Sequence, residues 1–196
     1  MGKRARFRND DKVIPLNAYY EEFQPNAELG PQPELLGCTY VNIPVIPPEW
    51  GSRLENIFLA LLFDADNRTL YGNFRAFKSF ADELVFLETE GIVVKTLDCG
   101  EVRLYFVLSA ILRDNKGLNG VCGFVESFSA NFYCRICSDP KEMCQYMYKE
   151  DPEYLRTHES YMADVRNNDY RTTGDKELNI FDRVPSFESA IRNICR

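Results

Sequence analysis

The sequence lacks three features that would indicate particular classes of protein. It has no secretory signal and no apolar run long enough to cross a bilayer, so we expect an intracellular protein without a membrane partner. Positive charge is not in excess, because 23 Lys and Arg stand against 30 Asp and Glu, giving a net charge of −7 and no general basic field for a nucleic-acid backbone. Histidine is scarce: His158 is the only imidazole available to a metal ion.

The composition otherwise suits a folded domain with reduced thiols. A chain of 196 residues that is 45% hydrophobic can form one sizeable core, with or without a small appendage. Seven cysteines, an odd number in a chain without a secretory signal, indicate free thiols rather than disulfides. Residues 1–12 are basic at their start, and we expect a flexible terminus there; a nuclear-import signal or a phosphate-contacting arm is the alternative.

Three segments predict strands that precede a helix. Residues 13–23 and 35–46 are rich in β-branched and aromatic side chains and are separated by a segment rich in turn residues. The continuous apolar run at 57–63 suits a strand buried on both faces. An apolar side chain then recurs every three or four residues, followed by a glycine that suits a helix C-terminus, which predicts a helix with one buried stripe: Phe74, Phe77, Phe80, Leu84, Leu87 and then Gly91.

A fourth core strand follows the helix. After a short extended segment, residues 103–114 form another nearly unbroken apolar run that ends at Asp114, beside the glycine-rich segment NKGLNGVCGF. The order strand, strand, strand, helix, strand is that of an RNase H-like domain, in which the fourth strand lies parallel to the first. That topology would bring Glu21 or Glu22 close to Asp114, and paired carboxylates suit Mg²⁺. Acids at strand ends also cap helices or meet solvent, so this order alone does not establish a nuclease.

Three stretches resemble eukaryotic transposon-derived proteins: IPPEWGSRLENIFLALLFDADNRTLYGN, ELVFLETEGI and LYFVLSAILRDNKGLNGVCGFVESFSANFYCRIC. These proteins are related more distantly to the CACTA-type and KDZ-type DDE/D transposases, in which an acid after the fourth strand precedes a Cys-x-x-Cys module. The resemblance implies an α/β fold: a partial RNase H-like mixed sheet over residues 13–130, followed over residues 131–196 by a small cysteine-containing helical appendage.

The resemblance also implies a degenerate catalytic centre. Asp114 matches the second catalytic acid, whereas the chain has Glu21 and Glu22 where the family shows an aspartate pair, and the longer side chain suits octahedral Mg²⁺ poorly. Arg113 replaces a family glycine and Lys116 a family leucine, which places two cations that could compete with a metal around Asp114. The chain ends before the segment that would carry the third acid, so we expect a truncated or decayed core without demonstrable catalysis.

The cysteines after this acid suggest a metal site. Cys134 and Cys137 form a Cys-x-x-Cys pair, and Cys144 and His158 could complete a Cys₃His site for structural Zn²⁺. A plain pair of buried thiols is an equal alternative, and a redox motif is a weaker one. Cys38, Cys99 and Cys122 lie in apolar or glycine-rich surroundings that suit small core residues.

Two functions follow as hypotheses. The first is a transposase-derived RNase H-like domain that once handled DNA ends with Mg²⁺ and retains weak DNA binding in the nucleus. The second is a domesticated, non-catalytic module that contacts protein partners through its cysteine-rich segment. The acidic charge balance favours the second hypothesis.

Overall fold

A computed structural model describes residues 7–8, 10–25, 35–98, 100–149 and 151–187. The described chain separates into two compact units. The first contains the described residues up to 113 together with those from 180 to 187, and the second contains those from 114 to 179. Most of the basic N-terminus, Cys99 and Cys195 lie outside the described residues, and the domain bounds drawn from the sequence at 12 and 130 stay a prediction.

The first unit is a five-stranded mixed sheet with one long helix. Its strands lie in the order β3-β2-β1-β5-β4. The pairs β1–β2, β2–β3 and β4–β5 are antiparallel, and β1–β5 is parallel. The elements of this unit are β1 Lys12–Phe23, β2 Leu36–Asn42, α1 Pro48–Gly51, a 3-10 turn Leu54–Asn56, β3 Ile57–Asp64, α2 Ala65–Thr89, β4 Ile92–Thr96, β5 Gly100–Leu112 and a 3-10 turn Ile180–Arg183. The mixed α/β class predicted from the sequence is therefore confirmed.

Two details of the sheet differ from the prediction. The short extended segment after the helix is a strand, β4, and it forms a hairpin with β5 at one edge of the sheet. The expectation that residues 57–63 are buried on both faces is wrong, because β3 is the opposite edge strand and Phe58, Leu59 and Leu62 are about half exposed. A continuous apolar run predicts a strand, but its position within a sheet depends on pairing with distant segments.

Helix α2 carries part of the buried stripe that the sequence predicts: Phe77, Phe80 and Leu84 are buried, whereas Phe74 is about half exposed. The helix also extends further toward the N-terminus than predicted. It begins at Ala65, where the Asp64 side chain accepts the Asp66 N–H, and it is interrupted at Gly72, whose φ of 77° is available to glycine at little cost. Phe77 meets the rings of Tyr20, Phe63 and Phe181 at centroid distances of 5.1–5.7 Å, and its side chain is buried. An aromatic core therefore joins the helix to the strand that carries Glu21 and Glu22.

The second unit contains short helices connected by long irregular segments. Its helices are α3 Asn115–Val121, α4 Lys141–Cys144, α5 His158–Asn167 and α6 Tyr170–Thr173. Isolated bridges pair Phe124 with Asp175 and Cys137 with Leu155. Helix α5 begins with a capping box between Thr157 and Ser160. Short helices are thus present where the resemblance implies a helical appendage.

Candidate metal centre and the acidic residues of the sheet

Glu22 of β1 is held by cations within the first unit. Its Oε1 lies 3.1 Å from an Arg68 guanidinium nitrogen and accepts the Tyr20 hydroxyl at 2.6 Å, and its Oε2 lies 3.8 Å from Arg113. Arg113 also stacks over the Tyr20 ring at 4.4 Å, and that ring is fully buried. Burial and the hydrogen bond to Glu22 both raise the pKa of Tyr20 above its ordinary value, so the phenol remains a proton donor. The carboxylate of Glu22 is thus compensated by protein groups.

Glu21 and Asp114 occupy different surroundings. Glu21 is exposed, faces Cys38 in the β1–β2 register and accepts the Cys38 S–H through its backbone carbonyl. Asp114 follows β5 by two residues, and its Oδ1 accepts the Gly117 N–H at 2.7 Å, so it is the N-cap of α3. The two acids belong to different compact units, and the shared Mg²⁺ site stays a prediction. Of the two roles weighed for Asp114, the helix cap is present.

Three of the predicted zinc ligands come together in the second unit. The sulfur atoms of Cys134, Cys137 and Cys144 all lie within 4.8 Å of one another, and Cys137 Sγ and Cys144 Sγ are 3.7 Å apart. A tetrahedral centre with Zn–S bonds near 2.3 Å requires sulfurs about 3.8 Å apart, so this edge has the length that zinc needs. The backbone N–H groups of Ile136 and Cys137 both donate to Cys134 Sγ at 3.4 Å. The Cys-x-x-Cys turn therefore folds around its first sulfur.

The three thiols differ in acidity. The pKa of Cys134 is lowered to about 5, first by a hydrogen bond from the Cys137 side chain and then by the two backbone N–H donors and the nearby charge of Arg156. The same hydrogen bond and burial raise the pKa of Cys137, and burial raises that of Cys144. The protein groups thus stabilise the Cys134 thiolate without a metal. To bind a cation, Cys137 and Cys144 would still have to lose their protons.

Arg156 connects this turn to the rest of the second unit. Its side chain is buried and donates to the Cys134 carbonyl at 3.0 Å, to the Asp175 carboxylate at 2.6 Å and to the Thr173 carbonyl. Asp175 is fully buried, and this desolvation raises its pKa to about 7 despite the opposing charge of Arg156. Asp164 lies 3.6 Å from the same guanidinium. A buried charge cluster therefore fixes the backbone that carries the first cysteine.

His158 is not a member of the cysteine group. His158 is exposed, and it is the first residue of α5, directly after the N-cap Thr157. The cysteines instead line a cavity of about 340 Å³ whose other described walls are Tyr133, Ile136, residues 147–149, Asp151 and Leu155. The structure thus supports a site for a metal made of three cysteines among the described residues, without the imidazole that the sequence suggested.

The remaining described cysteines are free thiols in the core. Cys38 and Cys122 are both buried, as their apolar surroundings predict. No helix among the described residues is long and apolar enough to span a membrane.

No protein-family model matches the chain, and no curated protein resembles it in sequence.

Sequence reasoning missed the residues that organise both sites. Arg68 lies 46 positions from Glu22, and Arg156 lies 19 positions from Asp175, so neither pairing has a local pattern. The sequence contains one weak indication that Arg156 is buried. Arg156 follows Leu155, an apolar side chain within an otherwise polar segment. Charged side chains that become fully buried are rare, and sequence gives no measure of that burial.

Proposed function

We propose that this chain is a transposase-derived RNase H-like domain that no longer cuts or joins DNA. One observation carries the proposal: an antiparallel β1-β2-β3 meander, a helix and then a long strand, β5, that pairs parallel to β1. These strand directions agree with those that the transposon resemblance implies, and they support the proposal. The hairpin strand β4 is an addition at the edge next to β5.

The contacts that Glu22 and Asp114 make with protein groups support the loss of catalysis. A two-metal mechanism needs carboxylates whose oxygens are available to the cations. Glu22 is bound by Arg68 and Arg113 within the first unit, and a divalent cation would have to compete with both guanidinium groups. Asp114 uses one carboxylate oxygen as the cap of α3. These contacts turn the ancestral acid positions into structural ones.

The test is an assay of purified protein with DNA and either Mg²⁺ or Mn²⁺. We expect cleavage and strand transfer to remain at the level of a blank without protein, and Asp114→Asn to give the same result. Cleavage that rises above the blank and disappears in Asp114→Asn would overturn the proposal. Fluorescence anisotropy with a labelled DNA duplex at low salt tests whether weak DNA affinity persists. We expect weak binding at low salt and a lower affinity as the salt concentration rises.

A structural Zn²⁺ held by Cys134, Cys137 and Cys144 is the second part of the proposal. The 3.7 Å sulfur separation and the two N–H donors to Cys134 support it. We expect one zinc per chain by mass spectrometry, and loss of that zinc in Cys134→Ser. Cys38→Ala is the matched control, because Cys38 is a buried thiol outside the group and its loss should leave the zinc content unchanged. Protein without zinc would refute this part.

A protein-interaction module is the alternative function, and one feature of the first unit favours it. The edge strand β3 exposes Phe58 and Leu62, and the chain, with a net charge of −7, has no general positive field that would attract DNA. Replacing Phe58 and Leu62 with Ser should then abolish capture of a protein partner while leaving the zinc content unchanged. Retained DNA binding together with unchanged partner capture would favour the first proposal.

A further inference from the structure

Among the described residues, the group of three cysteines would leave one position of a tetrahedral metal site without a ligand. Structural zinc sites use four protein ligands, whereas catalytic zinc sites keep one position for water or substrate. His158, the ligand that the sequence suggests, stands outside the group. The identity of the fourth ligand therefore decides which class of zinc site this is.

The cavity beside the cysteines contains few groups that could serve. Its walls include a lysine ammonium, a methionine thioether and two phenols in addition to Asp151. An ammonium has no lone pair, a thioether favours softer ions than Zn²⁺, and a phenol holds its proton at neutral pH. Among the described wall residues other than the cysteines, Asp151 offers a carboxylate, which is an ordinary zinc ligand.

Backbone pairing holds the Asp151 segment against the cysteine turn. The Ser138 N–H donates to the Tyr154 carbonyl at 2.9 Å, and the Arg156 N–H donates to the Ile136 carbonyl at 2.8 Å. Cys137 and Leu155 form a bridge between these bonds. The segment that begins at Asp151 is thus tied to the residues on both sides of the second cysteine.

The Asp151 side chain is restrained but has one oxygen to offer. Its Oδ1 accepts the Glu153 N–H at 3.0 Å, which orients the carboxylate. The residue is exposed, so its side chain can change rotamer without disturbing a packed core. That change is needed, because Asp151 stands outside the 4.8 Å group in this structure.

We propose that Asp151 is the fourth ligand, so that the second unit binds Zn²⁺ through three thiolates and one carboxylate. The inference rests on the proposed zinc site. On binding, the metal forms three Zn–S bonds and one Zn–O bond, and each thiol that is still protonated releases its proton to solvent. The resulting Cys₃Asp site is closed, and its function is to staple the segment at 151–156 to the cysteine turn.

The experiment measures Co²⁺ and Zn²⁺ binding to purified full-length variants. Co²⁺ reports coordination number through its visible absorption, and Zn²⁺ displacement of Co²⁺ gives relative affinity. For Asp151→Asn we expect affinity to fall by at least about 10-fold, because a neutral amide is a weaker ligand for Zn²⁺ than a carboxylate. His158→Ala and Glu153→Gln are the matched controls, and both should bind like the wild type.

Two further results separate this inference from the zinc proposal. Wild-type protein that binds neither metal would overturn both. Wild-type binding with equal affinity in Asp151→Asn, or an equal loss in His158→Ala, would overturn the role of Asp151 alone. Asp151→Cys keeps the test valid if Asp151→Asn fails to fold. We expect Asp151→Cys to bind Co²⁺ with thiolate-to-cobalt absorption raised by about one third, because three sulfur ligands become four. No rise in that absorption would contradict the proposed position of residue 151.

Discussion

The two compact units are stabilised by different kinds of interaction. The first buries an aromatic cluster that includes Tyr20, Phe77 and Phe181 between its sheet and helix. The second has no helix longer than 10 residues among the described residues, and it buries charged and amide side chains, among them Asp139, Arg156 and Asp175. A unit made of short polar segments buries less apolar surface per residue, so specific bonds must do more of the stabilising.

This difference predicts a large loss of stability when the buried ion pair of the second unit is broken. Arg156→Met should cost about 3–5 kcal/mol, because it leaves the Asp175 carboxylate buried without its cation, and the Cys134 and Thr173 carbonyls lose a donor. Hydrogen exchange should increase in residues 114–179 and change little in the sheet. Arg166→Met, on the same helix as Asp164, is the control for loss of a surface arginine. Unchanged exchange in the second unit would mean that apolar packing holds it.

A loss of similar size is expected when the aromatic core of the first unit is opened. Phe77→Ala should destabilise the protein by about 3–5 kcal/mol, at the level of other large core truncations, because Phe77 contacts three rings and is buried. Leu70→Ala on the same helix is the control, since its side chain is exposed. Urea unfolding followed by far-ultraviolet circular dichroism measures both. Equal losses for the two variants would show that the cluster is not the core.

The smallest expected effect is a gain of stability with a defined pH dependence. Glu88 is buried on α2, and desolvation raises its pKa above the ordinary value of 4.5. The folded state therefore favours the protonated carboxyl, and the stability this provides is present below pH 4.5 and is lost as the pH rises through the raised pKa. Glu88→Gln should remove this loss and stabilise the protein by about 1 kcal/mol at pH 8.

Thermal denaturation between pH 4 and pH 8 tests this effect, with the exposed Glu83 of the same helix as the control in Glu83→Gln. The two variants should differ at pH 8 and converge at pH 4. A Glu88→Gln variant that is less stable at every pH would show that the carboxylate has partners that outweigh its burial.

Local patterns were sufficient to predict much of the first unit. Apolar runs and a three-to-four residue repeat identified β1, β2, β3, β5 and the buried stripe of α2, because side-chain periodicity follows directly from strand and helix geometry. The same patterns did not reveal that β3 is an edge strand or that the segment at Ile92–Thr96 pairs with β5. Both depend on which distant strand is available as a partner.

For the candidate metal site, the sequence determined the set of thiols, and the tertiary structure decided which of the candidate side chains lie together. The Cys-x-x-Cys spacing fixed Cys134 and Cys137 as neighbours, since two residues between cysteines form a turn that brings sulfurs together. The sequence suggested His158 as a further ligand, but this residue is the first of α5 and stands outside the group. A bridge between Cys137 and Leu155 instead holds the segment of Asp151 near the cysteines. Which polar side chain faces a cavity depends on long-range backbone pairing, and a single sequence does not encode that pairing locally.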